Sequence, residues 1–174
     1  STREILIGAA DGHVYETYIE PSTEFYRREE KYLKSVYNPQ DGPVMGVYVD
    51  VLSTKPDTRR ILVATQHQLA HFSGRIGRQG HEGSGSIYSK LFDGETPTIQ
   101  SMEATGTASA CSLAVSPDPT DVSQPATGDQ NAERAYAWLC SQGIYNGELL
   151  AQSPDPATLG RQVFHESHLL PKSK

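Results

Sequence analysis

Strand-like patterns come in pairs along this chain, each pair broken by a turn. "EILIGAA" and "HVYETYIE" flank Asp11-Gly12. That dipeptide accepts positive φ and favours a tight hairpin. The polar stretch "STEFYRREEKYLKSVYNP" then connects, with a short strand expected over Tyr32 to Tyr37. "VMGVYVDVLST" (Val44 to Thr54) alternates and is rich in β-branched residues, and "KPDT" turns the chain. "RRILVATQ" and "HQLAHFSG" form a second hairpin, with its turn at or near His67.

"RIGRQGHEGSGS" (Arg75 to Ser86) reads as a flexible Gly/Ser loop. In "SIYSKLFDGE", Ile87, Tyr88 and Leu91 fall at helical spacing, which predicts one short helix ended by Gly94. "ACSLAVS" is a short strand. Pro117 to Glu133, rich in Pro, Asp and Ser, is a long exposed loop. "RAYAWLC" and "IYNGELL" make a third hairpin around "SQG", and "QVFHESHLLP" closes the chain as a last strand or terminal stretch.

The hairpins beginning near Ile5, Ile61 and Tyr136 are echoes of one another. The Pro117–Glu133 loop accounts for most of the excess of the second interval over the first. An apolar strand, a turn and a second strand, recurring at this spacing, is the pattern of propeller blades. Each unit has an apolar face that only a stacked neighbour can cover. The expected architecture is all-β: a partial β-propeller of about three blades of antiparallel hairpins, with long loops and one short helix. Residues 1–174 read as a fragment of a propeller domain, with flexible loops near 75–86 and 117–133. Apolar faces left open at the ends of such a piece call for a larger native protein, or for curling or pairing. The missing initiator Met agrees with a chain cut from a longer one.

Composition narrows the function classes. Of 174 residues 36% are hydrophobic, with 15 Gly and 11 Pro, which suits a β- and loop-rich chain rather than a helical bundle. The net charge of −6 argues against nucleic acid as a partner and against direct binding to anionic lipid. The densest charge run, "YRREEK", mixes signs and reads as a solvated face. Cys111 and Cys140 are too few for a disulfide framework or a four-cysteine zinc site, so reduced thiols in a cytosolic protein are the simpler reading. No apolar run reaches the ~18 residues of a membrane span, and "STREIL" is no signal peptide.

Candidate chemistry is sparse. Asp11 and His13 flank a turn glycine, where an aspartate satisfies turn hydrogen bonds. His165 and His168 are three apart, and a strand puts them on opposite faces, against metal binding. His67 and His71 are separated by the expected turn. "GRQGHEGSGS" lacks the Gly-Lys-Ser/Thr ending of a phosphate loop, "GSGSI" is no nucleophile elbow, and "SACSLA" around Cys111 has no thiol-protease signature. The expectation is a protein with no catalytic, cofactor-binding or metal-binding residues. The competing reading is an enzyme or small-ligand binder working at a propeller mouth through His67, His71 or His165.

The segments "EILIGAADGHVYETYIE", "ILVATQHQLAHFSGRIG", "SIYSKLFDGE", "AYAWLCSQGIYNGEL" and "FHESHLLP", in this order and spacing, resemble the N-terminal region of the deep-orange family of vacuolar protein-sorting subunits, the eighteenth class in that naming series. The resemblance covers nearly the whole chain. It implies part of an N-terminal β-propeller and a non-catalytic scaffold role in the HOPS and CORVET tethering complexes. The implied setting is membrane fusion at the cytosolic face of late endosomes and the vacuole or lysosome. Implied partners are the other class C subunits, with Rab GTPases and SNAREs linked indirectly and the membrane reached through partners. The family's α-solenoid and zinc RING domain have no counterpart in this segment, so zinc binding and ubiquitin-ligase activity do not carry over. The resemblance assigns no residue to catalysis or to partner binding.

Overall fold

Asp11-Gly12 does close a hairpin, with Gly12 at φ +87°. The computed structural model of the chain describes residues 4–18, 33–51, 57–77, 86–101, 111–116, 134–140, 143–149 and 162–168. The hairpin strands are β1 (Glu4–Gly8) and β2 (Val14–Tyr18), and β3 (Lys34–Tyr37) adds antiparallel to β2 to complete a first sheet. The second sheet is a meander of β4 (Gly46–Val51), β5 (Thr58–Ala64), β6 (Gln68–Arg75) and β7 (Thr98–Ser101). The third is the meander β8 (Ser112–Val115), β9 (Arg134–Cys140), β10 (Gly143–Leu149) and β11 (Gln162–His168). Between β6 and β7 lies the one described helix, α1 (Ser89–Gly94).

Most of the expected elements are present among the described residues. The helix stops at Gly94 as expected, but by a different device. The chain turns extended at Glu95, whose N–H donates to Leu91 O, and Gly94 is not left-handed. Strand β7 was not foreseen. The expected loop at 117–133, most of the one at 75–86, and Tyr32 lie outside the described residues.

Burial explains why "RILVA" is an unbroken apolar run. Successive strand residues point to opposite faces, and β5 is covered on both. Ile61 and Val63 join Val14, Val36, Ala70, Phe72, Leu91 and Phe92 in a core between the first and second sheets. Leu62 and Ala64 join Leu69, Tyr136, Trp138 and Cys140 in a core between the second and third. Tyr37, Phe72 and Phe92 add aromatic contacts to the first core, at centroid distances of 4.8 to 5.2 Å. The second sheet is thus the filling of a three-layer stack.

The recurring hairpins occupy a specific place in this arrangement. β1–β2, β5–β6 and β9–β10 are each followed by one further antiparallel strand. β5 and β9 are also preceded by one, β4 and β8, which lie close to each other. No strand precedes β1 among the described residues, and β1 is the edge of its sheet. The repeat unit is therefore a four-stranded meander whose second and third strands form the hairpin.

Candidate functional site

Strand direction alternates along each meander, so the β1–β2 turn, the 38–45 connection, the β5–β6 turn and the start of β8 share one rim. Two clusters of hydrogen-bonded polar side chains collect there. Asp11 Oδ1 accepts from the His13 backbone N–H at 3.0 Å, and Asp11 Oδ2 accepts from the Tyr15 hydroxyl at 2.6 Å. Those bonds hold the Asp11 carboxyl below its ordinary value, Tyr15's first, and the same carboxylate pushes the Tyr15 phenol up. Asn38 Oδ1 accepts from Gln40 N at 2.7 Å, which turns its amide nitrogen toward His13 Nε2, 3.0 Å away. Nε2 then accepts, and the imidazole proton sits on Nδ1, 3.6 Å from Asp11 Oδ1. Gln40 is left-handed at φ 55°, a conformation supported by this Asx turn.

Asp41 makes the second cluster. Its Oδ2 accepts from the Thr65 hydroxyl and from His67 N, and its Oδ1 lies 3.2 Å from His67 Nδ1. Thr65 also accepts from Gln68 N at 3.0 Å through Oγ1. The Thr65 carbonyl in turn accepts from Trp138 Nε1 at 3.2 Å and from Cys111 Sγ at 3.0 Å. Thr65 thereby joins the connection leaving the first sheet to the core of the third. Trp138 is 0% exposed, and its indole N–H meets the general requirement of a partner in the interior.

A hydroxyl, an imidazole and a carboxylate have come together here, but in an order other than that of a catalytic triad. In a triad the hydroxyl donates to the imidazole, which the carboxylate orients. Here the Thr65 hydroxyl donates to Asp41 directly, and the His67 Nδ1 proton also points at Asp41. The base that addresses the hydroxyl is the carboxylate and not the imidazole, and the three groups fasten the 38–45 connection to the β5–β6 turn. Cys111 is held as a thiol, since burial pushes its pKa up and it donates to a carbonyl.

The remaining predicted positions are dispersed. His67 is in the β5–β6 turn, whereas His71 is buried in β6, opposite Leu62 on the face toward the third sheet. His165 and His168 are both on β11, whose pairing with β10 slips between Asn146 and Gly147, opposite Phe164 and Glu166. His165 is the residue passed over. Among the described residues no three His, Cys, Asp or Glu side chains are grouped to hold a metal ion. No described helix is long and apolar enough to cross a membrane.

Sequence reasoning missed Asp41, Thr65 and, away from the rim, Glu16. Asp41-Gly42 is a second Asp-Gly pair, the one local signal available. Glu16 is 1% exposed on β2, and its carboxylate accepts from the Ser86 hydroxyl, Ile87 N at 3.0 Å and Tyr88 N at 3.1 Å. It ties the segment entering α1 to the first sheet.

Meandering antiparallel sheets stacked face to face, with the first strands of the complete ones adjacent, define part of a β-propeller. The family model of the Pep3/Vps18/deep orange beta-propeller domain matches residues 1–174, and the chain belongs to that family of vacuolar protein-sorting subunits. No curated protein matches the chain at a significant level.

Proposed function

We propose that this chain is a structural segment of the N-terminal propeller of a HOPS and CORVET subunit, acting as a non-catalytic scaffold in endosome-to-vacuole or lysosome trafficking. The observation that carries the reading is the family match along residues 1–174. The geometry of the rim supports it. The Asp41, Thr65 and His67 groups are joined to one another, and so are Asp11, His13, Tyr15 and Asn38. Such turns stiffen a surface that other proteins read.

On this reading the partners are the other class C subunits, with Rab GTPases and SNAREs reached through them. The protein then works at the cytosolic face of late endosomal and vacuolar or lysosomal membranes. A −6 chain is drawn to that surface by proteins rather than by anionic lipid. The test is co-purification of the intact subunit, with and without its propeller, against the remaining tethering subunits. Loss of complex membership or of vacuolar delivery on removing the propeller is expected. Unchanged assembly and unchanged delivery overturn the proposal.

A further inference from the structure

The chain's two cysteines both face the second sheet from the third. Cys111 immediately precedes β8, and Cys140 ends β9. β8 and β9 pair antiparallel, from Val115↔Tyr136 to Ser112↔Leu139. Carried one residue further, that register sets Cys111 directly opposite Cys140. Their side chains share a face, since Leu113 and Val115 on one strand and Tyr136 and Trp138 on the other belong to the same core as the two thiols. Directly opposed residues of an antiparallel pair have Cα atoms roughly 4.5–5.5 Å apart. That lies within the ~4.4–6.8 Å that a disulfide bridges. Both cysteines are free, and they differ in access: Cys111 is part-exposed, whereas Cys140 is 1% exposed.

We propose that Cys111 and Cys140 are a reversible cross-strand disulfide site, closed by a small-molecule disulfide such as oxidised glutathione. Cys111, the more accessible thiol, reacts first. It gives up its proton, and its sulfur attacks one sulfur of the small disulfide. A mixed disulfide forms, and one small thiolate leaves and takes a proton. Cys140 then gives up its proton and attacks Cys111 Sγ. The protein disulfide forms, and the second small thiolate leaves and takes the other proton. Two protein thiols lose two electrons in all, and one small disulfide becomes two thiols. Burial pushes the Cys111 thiol up and the neighbouring Cys140 adds to the rise, so the first attack is slow at neutral pH and quickens as pH rises. The bond ties residues 112–139 into a covalent loop. It also takes the S–H donor from the Thr65 carbonyl, which keeps Trp138 Nε1. The site follows from the sheet register and is independent of the tethering role.

The test treats the full chain with excess oxidised glutathione, blocks the remaining thiols and digests the product unreduced with trypsin. Cleavage after Lys90, Arg134 and Arg161 puts Cys111 in the peptide 91–134 and Cys140 in the peptide 135–161. Mass spectrometry should find the two peptides joined, in about tenfold or greater excess over the glutathione adduct of Cys111. Dithiothreitol should separate them. Cys140→Ala should stop at the Cys111 adduct, and Cys111→Ala should leave Cys140 unmodified. Where a variant does not fold, the parent decides: joined peptides should form faster at about pH 9 than at about pH 7, with no build-up of the adduct. The oxidised chain should unfold at a urea midpoint higher by roughly 1 M than the reduced one. A lasting Cys111 adduct in the parent overturns the proposal, as do two unmodified thiols, disulfide-linked dimers in place of the internal bond, or a midpoint lowered by oxidation.

Discussion

Replacing Glu16 by alanine removes the acceptor for three donors at once: the Ser86 hydroxyl and the Ile87 and Tyr88 amides. Ile87 and Tyr88 are 3% and 2% exposed, so water does not readily take the vacated place. A buried donor left without a partner costs about 1–3 kcal/mol. With some relaxation of the turn before α1, the three together cost roughly 3–5 kcal/mol. That is a large part of the ~5–15 kcal/mol by which domains are stable. In urea unfolding, with slopes of ~1–3 kcal/mol per molar, the midpoint should fall by roughly 2 M. Glu16→Gln keeps one oxygen and sets an NH2 group against the remaining donors, and should cost roughly 1–2 kcal/mol. Exchange at the Ile87 and Tyr88 amides should accelerate in both variants, with that of β9 less affected. A Glu16→Ala protein within about 1 kcal/mol of the parent would refute the argument, because the carboxylate would then not be what holds this segment.

Two further outcomes follow from the rim. The Asp11 carboxyl is held below its ordinary 3.8 and the Tyr15 phenol above its ordinary 10.0, chiefly by their mutual hydrogen bond. The stability from Asp11 is therefore fully present above pH 3.8 and lost as pH falls through its lower folded value. That from Tyr15 is fully present below pH 10.0 and lost as pH rises through its raised folded value. Tyr15→Phe should move the Asp11 titration back up toward 3.8 in a carboxyl NMR titration, and an unmoved titration would show that the bond is not the main cause. At Thr65, Trp138 and Cys111 both donate to one carbonyl, so Trp138→Phe or Cys111→Ala alone leaves it one partner. The double variant orphans it and should lose about 1 kcal/mol more than the sum of the singles in denaturant unfolding. Simple additivity would mean the carbonyl is satisfied in another way.

The hairpins were legible because their signals are local. Asp11-Gly12 is a turn dipeptide between β-branched runs, and "RRILVATQHQLAHF" carries two apolar strands back to back. Helix α1 was legible because Ile87, Tyr88 at its N-cap and Leu91 inside it are all buried in one core. Strand β7 was not, since "TIQS" offers one apolar residue, and Ile99 is itself 48% exposed on a sheet edge. Glu16 escaped notice for a different reason. In "HVYETYIE" a glutamate reads as a solvent-facing position, yet it alternates with Tyr15 and Thr17 onto the inner face beside Val14. What makes that tolerable is a set of donors some seventy residues away, beyond any local pattern. The same holds for Asp41, which stands in a turn-like cluster, "NPQDGP", while its partners Thr65 and His67 belong to the next hairpin. The offset of the hairpins within the blades was hidden too, since it appears only when pairing partners are known.

Thr65 connects to more than its neighbours. Its hydroxyl meets Asp41, in the connection leaving the first sheet, and its carbonyl meets Trp138 and Cys111 of the third. Repeat architectures in which each unit touches only the next melt in stages, since their stability is close to a sum of nearest-neighbour contributions. A residue that answers to three successive units works against that independence. Loosening the first sheet frees Asp41, and the turn that presents the Thr65 carbonyl to Trp138 loses its brace. The three sheets should consequently open together at this rim and fray separately at the other.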